Sequence, residues 1–139
     1  MKWSLACFLM CLPLVAVHGQ QERKQAEKVV RNMARAYDLD ASQKEAIRVI
    51  QLEYFNNFKE IEDLEQYDYL AYLKKCRNIR RGMESMVLKV LDSQQRLEFS
   101  KDLAEKKALL EKERHSMLEQ GKSKEEIRLW ELESFKPIQ

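Results

Sequence analysis

Leu39-Asp40-Ala41-Ser42-Gln43 and Leu91-Asp92-Ser93-Gln94-Gln95 are two copies of one pattern, L-D-x-x-Q, set 52 residues apart. In each, an apolar residue precedes Asp and a Gln follows three positions later. An Asp at a helix N-cap accepts the backbone N–H of the third helical residue, and a Gln at that third position reaches back to the cap's own N–H. The two copies therefore mark two helix starts. They matter because the chain has little other punctuation: three Gly and two Pro, one of each within the first 19 residues. Period-two runs of β-branched residues and Asn-Gly turns are absent, so the sequence predicts an all-α chain.

Working outward from the first copy, Ala26, Val29, Val30, Met33 and Tyr37 recur at helical spacing and predict a helix over Gln21–Tyr37. After the copy, a second helix is expected from about Ala41 to Leu64, with Ile47, Ile50, Tyr54, Phe58 and Ile61 as its stripe and Phe55 widening it. Two readings of the aromatic cluster stay open: a core face, or a partly exposed surface that binds something. Beyond Ile61 the helical phase slips. The row Tyr54, Ile61 would continue to Asp68 and Lys75, whereas the apolar row resumes one residue later as Tyr69, Cys76, Met83 and Val90. Acids crowd that junction, which suits a new N-terminus better than a C-terminus. A bend or short turn is expected near Glu65–Asp68, with Asp68 as a cap; a continuous helix is the alternative.

The third helix, about Tyr69–Val90, carries a heptad seam of Tyr69, Tyr72, Cys76, Ile79, Met83, Met86 and Val90. Such a narrow seam suggests pairing with a second helix of the same kind, and so a dimer. Gly82 weakens this helix unless close packing needs the missing side chain. The second L-D-x-x-Q copy opens a fourth helix, about Ser93–Gln120, whose apolar side is Leu97, Phe99, Leu103, Leu110, Met117 and Leu118. Gly121 is a natural stop, and Ser123-Lys124-Glu125-Glu126 is another capping box, opening a short tail helix that Pro137 ends. Trp130 and Phe135 on this tail either dock on the body or stand exposed.

Residues 1–19 read as a secretory signal peptide: Lys2 is the charged start, Trp3–Val17 the apolar run, and Val17-His18-Gly19 the small-residue approach to cleavage before Gln20. A transmembrane anchor is the alternative, but the run is short of the roughly 20 apolar residues a span prefers. The domains expected are thus residues 1–19 as leader, 20–122 as a helical body and 123–139 as a short helix and tail, in a periplasmic or secreted protein with no membrane span after cleavage. Without the leader the net charge falls from +2 to +1, which argues against a nucleic-acid partner. One cysteine then remains, Cys76, either buried and inert or bridging two chains.

Chemistry is hard to find. The one histidine of the body, His115, has Glu111 and Glu119 at four-residue spacing, an arrangement common on solvated helices and not a zinc signature. No nucleophile motif and no phosphate-binding Gly loop occurs. The reading is of a protein without catalytic residues, metal or cofactor. The feature of most interest is the basic run Lys74, Lys75, Arg77, Arg80 and Arg81. Either it pairs with the acidic run Glu60–Asp68, or it binds an acidic or unfolded polypeptide or an anionic lipid.

The paired motifs resemble the L-T-x-x-Q signature of the Spy/CpxP family of small periplasmic proteins. Leu39 to Arg48 is similar to that family's first copy and Val90 to Phe99 to its second, over a region of roughly Ala26–Lys112. Asp stands for Thr at both caps and does the same capping work. The resemblance implies four main helices in an extended helical-hairpin arrangement forming a curved antiparallel homodimer. It implies an ATP-independent chaperone or envelope-stress protein that holds unfolded or partly folded envelope proteins; accessory or metal-responsive regulators of an envelope sensor are the alternative within the family, and an unrelated secreted helical binding protein is the alternative outside it. The motif residues Leu39, Asp40, Gln43, Leu91, Asp92 and Gln95 would be structural, and Tyr54, Phe55, Phe58, Lys74, Arg77, Arg80 and Arg81 would meet the client.

Overall fold

The computed structural model describes residues 14–137. Over that span the chain is all-helical: α1 (Leu14–Tyr37), α2 (Ala41–Glu60), the single turn α3 (Leu64–Tyr67), α4 (Tyr69–Val90), α5 (Ser93–Glu119) and α6 (Lys124–Glu133). The helix α1 starts at Leu14, seven residues earlier than its periodicity predicts, and runs through Gly19. Most of the expected leader, with Cys7 and Cys11, lies outside the described residues.

Both L-D-x-x-Q copies are complete capping boxes. The Asp40 carboxylate accepts from Gln43 N at 2.8 Å while Gln43 Oε1 accepts from Asp40 N at 3.0 Å. Asp92 and Gln95 repeat this at 2.9 and 3.0 Å. The approaches to the two boxes differ. Ahead of α2, Asp38 adopts φ 51° and Leu39 N donates back to Ala34 O, a left-handed stop of the kind Asp tolerates. Ahead of α5, Leu91 stays extended and Arg96 Nε donates to its carbonyl at 2.8 Å. Ser123 and Glu126 form the third box, after a turn at Gly121 (φ 77°) in which Lys122 N donates to Met117 O and Gly121 N to Leu118 O.

The phase slip after Ile61 is a real break. The helix α2 stops at Glu60, four residues before its predicted end; α3 makes one turn, and the Asp68 carboxylate caps α4 by accepting from Ala71 N at 3.0 Å.

Side chains near the start of α2 meet those near the end of α4, and the reverse, so the pair is antiparallel. One cluster joins Val30, Leu39, Ile47, Ile50, Val87 and Leu91; the other joins Tyr54, Phe58, Ile61, Tyr72, Leu73, Cys76 and Leu132. The helix α1 packs along α2, tied by Arg48 to Glu27 and by Lys59 to Glu22 at 3.7 Å. The heptad seam of α4 is therefore filled from within: Tyr72 and Cys76 are buried and Ile79, Met83, Met86 and Val90 pack around the same two clusters. This removes the seam as a reason for pairing with another chain. Cys76 is fully buried as a free thiol, its pKa pushed up mainly by burial, so the inert reading holds over the interchain bridge.

Gly82 sits exposed in the middle of α4, and a Cβ built there meets nothing within 4 Å. Packing gives no reason for it. Gly82→Ala is expected to raise stability by about 0.5–1 kcal/mol, the helix-propensity difference, read as a higher urea midpoint.

The helix α5 is the least embedded. At 27 residues it is about 40 Å long, and Gln95 is its only buried residue. Its expected apolar side is largely wet: Leu97 and Leu118 are exposed, and Phe99, Leu103, Leu110 and Met117 are half-buried. It departs from α4 at the Asp92 corner, touching α1 through the Tyr37–Phe99 edge-to-face pair and a hydrogen bond from the Tyr37 hydroxyl to Asp102. Burial and that carboxylate raise the Tyr37 pKa. The tail fills the open end of the resulting V. Ile127 and Leu132 are buried, Phe135 packs on the second cluster, and α6 meets both α4 and α5. Trp130 is half-buried, so the tail docks.

Candidate functional site

The two boxes meet. Each uses only the carbonyl half of its Gln amide, leaving an NH2 group with two hydrogens. Gln43 Nε2 donates to Gln95 Oε1 at 2.7 Å and to Val90 O at 3.2 Å. Gln95 Nε2 donates to Gln43 Oε1 at 3.1 Å and to Tyr37 O at 3.0 Å. With the cap N–H groups as further donors, both oxygens accept twice and both nitrogens have acceptors for their two hydrogens, Gln95 Nε2 also lying 3.5 Å from Asp38 O, so a reciprocal amide pair has its full complement of partners. Leu39 and Leu91 are buried beside it. Of the six motif residues, all have structural work at this joint, and the pairing itself is what sequence reasoning missed. The available signal was the choice of Gln over Glu at both third positions, since Glu would serve a capping box equally well.

The residues expected to meet a client divide differently. Tyr54 and Phe58 are core residues, packed edge-to-face at 4.8 Å, and Phe55 is half-buried against Tyr54 at 5.4 Å. The stripe faces α4 and not solvent, which takes Tyr54 and Phe58 out of any binding surface. The Tyr54 hydroxyl has its pKa raised, first by burial.

The basic run does stay at the surface. Lys74, Lys75 and Arg81 are exposed, and Arg77 and Arg80 half-buried. Its expected pairing with the acidic run Glu60–Asp68 is absent: no salt bridge among the described residues joins the two. The tail takes the acid instead. Lys136 Nζ binds Glu65 at 2.5 Å, which raises its pKa, and lies 5.5 and 5.7 Å from the Tyr69 and Tyr72 ring centroids. Tyr69 donates to Glu133 at 2.7 Å, and Arg80 donates to the Lys136 carbonyl at 3.1 Å. These contacts fasten the tail over the start of α4, and no sequence spacing announces them.

Leu70, Lys74, Arg77 and Arg81 follow one another at helical spacing along α4, with Tyr67 just before them 85% exposed and Leu70 itself exposed. Beside this stripe, and sharing Arg77 and Arg81 with it, α4, α5 and α6 border a half-open cleft of about 800 Å³. Arg77, Arg80, Arg81 and Glu84 line it from α4; Leu103, Lys106, Lys107, Leu110 and Glu111 from α5; Arg128, Glu131, Leu132, Ser134 and Phe135 from the tail. Arg114 binds Glu111 at 2.9 Å and approaches Glu131 at 3.8 Å. Burial raises the pKa of Glu84 against the lowering effect of Arg80, Lys106 and Arg81.

His115 Nε2 lies 3.4 Å from Glu119 with both side chains exposed, and no group of three His, Cys, Asp or Glu converges among the described residues. No described helix is long and apolar enough to cross a membrane. No family model, curated protein or solved structure matches this chain.

Proposed function

We propose that this chain is a small helical holding protein of the periplasm or secretory space, binding unfolded or partly folded polypeptides without ATP and without catalysing a reaction. The observation that carries the reading is the outer face of α4, where the exposed Leu70 runs into Lys74, Arg77 and Arg81 beside the exposed Tyr67 at the end of α3, and none of these three cations has a carboxylate partner among the described residues. Cations left free in this way draw in acidic stretches of a client, and the neighbouring apolar groups hold it weakly. Resemblance to the Spy/CpxP family supports the same reading and adds an antiparallel homodimer of extended helical hairpins, in which two such faces would act together.

The test is aggregation of a chemically unfolded client, followed by light scattering without nucleotide. The mature protein at a few-fold excess is expected to suppress it, less so in about 0.5 M salt, where the Debye length drops below the spacing of these charges. Lys74→Ser with Arg77→Ser and Arg81→Ser is expected to remove most of the suppression while the helical circular dichroism stays unchanged. Full suppression by that variant, or none by the parent protein, would count against the proposal.

A further inference from the structure

The cleft beside the α4 stripe has a charge balance that the body of the protein does not. Six cations line it: Arg77, Arg80 and Arg81 from α4, Lys106 and Lys107 from α5, and Arg128 from α6. None has a carboxylate within salt-bridge distance among the described residues. Two of the three acids on its walls, Glu111 and Glu131, are engaged by Arg114. Only Glu84 stands against the six, and burial disfavours its charged form. In a near-neutral chain this is a local concentration of uncompensated positive charge, partly withdrawn from water, where its field is strongest.

Two further observations narrow what would fill it. The Nε–H groups of Arg77 and Arg80 are buried and have no acceptor among the described residues, so each leaves one donor desolvated without a partner, although Arg80 uses another N–H on the Lys136 carbonyl. Leu103, Leu110, Leu132 and Phe135 meanwhile give the same walls an apolar part. A simple inorganic anion would leave that apolar lining wet, and an uncharged hydrophobe would leave the cations unmatched. Size favours a small molecule over a helix. A helix with its side chains is about 10–12 Å wide, so about two turns would fill the space, whereas about 300–1,000 Å³ is the range of small-molecule sites.

We propose that the cleft between α4, α5 and α6 is a binding site for a single anionic amphiphile, a molecule with a phosphate or carboxylate head and a hydrocarbon body. The head lies among Arg77, Arg80, Lys106 and Lys107, and the hydrocarbon lies on Leu103, Leu110 and Phe135. This site extends beyond the client face of α4, and three of its cations, Lys106, Lys107 and Arg128, do not belong to that face.

Calorimetric titration of the whole mature chain tests it, with decyl phosphate and decanoate below their micelle-forming concentrations. Decyl maltoside serves as the uncharged amphiphile and inorganic phosphate as the head alone. One decyl phosphate or decanoate per chain is expected, bound about tenfold or more tighter than either control, and the tighter of the two identifies the preferred head. The exposed triple variant Lys106→Gln, Lys107→Gln and Arg128→Gln is expected to lose about tenfold in affinity with its helicity intact. Equal binding of decyl maltoside, many amphiphiles per chain, or unchanged affinity in the triple variant would overturn the assignment. Client suppression measured on the same triple variant keeps the two sites apart, because the α4 stripe is untouched in it.

Discussion

Replacing Gln95 with Ala is expected to destabilise the protein by about 2–4 kcal/mol, more than either capping Asp, because the amide serves two helix starts at once. Its loss strands the Asp92 N–H, the Tyr37 carbonyl and half of the Gln43 amide in a half-buried joint. A lone cap typically contributes about 1 kcal/mol; the remainder here comes from polar groups left buried without partners. Urea unfolding of Gln43→Ala, Gln95→Ala and the double variant measures the link directly. The double variant is expected to cost about 1 kcal/mol less than the sum of the singles, since either change alone breaks the amide pair. Strict additivity would mean two independent boxes that merely touch. Gln95→Glu separates the two duties: it keeps a carbonyl-like acceptor for Asp92 N but removes the NH2 group, and at neutral pH it is expected to be nearly as damaging as Ala.

That joint also marks the boundary of what local sequence can reveal. Capping boxes are legible because every atom involved lies within four residues, and all three start their helices where the pattern places them. The Asp68 cap was legible for the same reason, helped by the one-residue slip in the apolar rows. The amide pair joins residues 52 apart and depends on two corners being brought together by packing. Charge was the least legible feature. Two runs of opposite sign close in sequence suggest mutual neutralisation, but α3 and the Asp68 cap turn the acidic corner away, and Lys136, 71 residues downstream, takes Glu65. The aromatic stripe of α2 was legible as a stripe but not as a choice between core and surface, because its periodicity is the same in both cases. The cleft was invisible altogether: its walls come from three helices, and its charge excess is sharpened because Arg114 occupies two of its acids.

Leu73→Ala is the second large effect, expected to cost about 2–5 kcal/mol. Leu73 has no exposed surface and lies where α2, α4 and the tail converge, in the cluster with Tyr54, Phe58, Cys76 and Leu132. The α2–α4 pair cannot close over the missing carbons without moving Tyr72 and Cys76, which are themselves buried, so a cavity remains. Leu132→Ala offers the contrast. It removes an equal volume from the same cluster but from the tail side, where α6 can lift away. Its cost is expected to be smaller, about 2–3 kcal/mol, and partly local. Hydrogen exchange distinguishes them: Leu132→Ala should speed exchange across Lys124–Lys136 and leave α2 and α4 protected, while Leu73→Ala should speed it throughout. Uniform loss of protection in both would make α6 an integral part of the cooperative unit.

The amide pair is neutral, and so are the carbonyls it grips. The amide hydrogen bonds at the corner between α4 and α5 therefore do not depend on ionic strength, while the cations that those two helices offer to a ligand do. Salt thus acts as a one-way dial on this molecule, weakening capture while the jaws keep their opening.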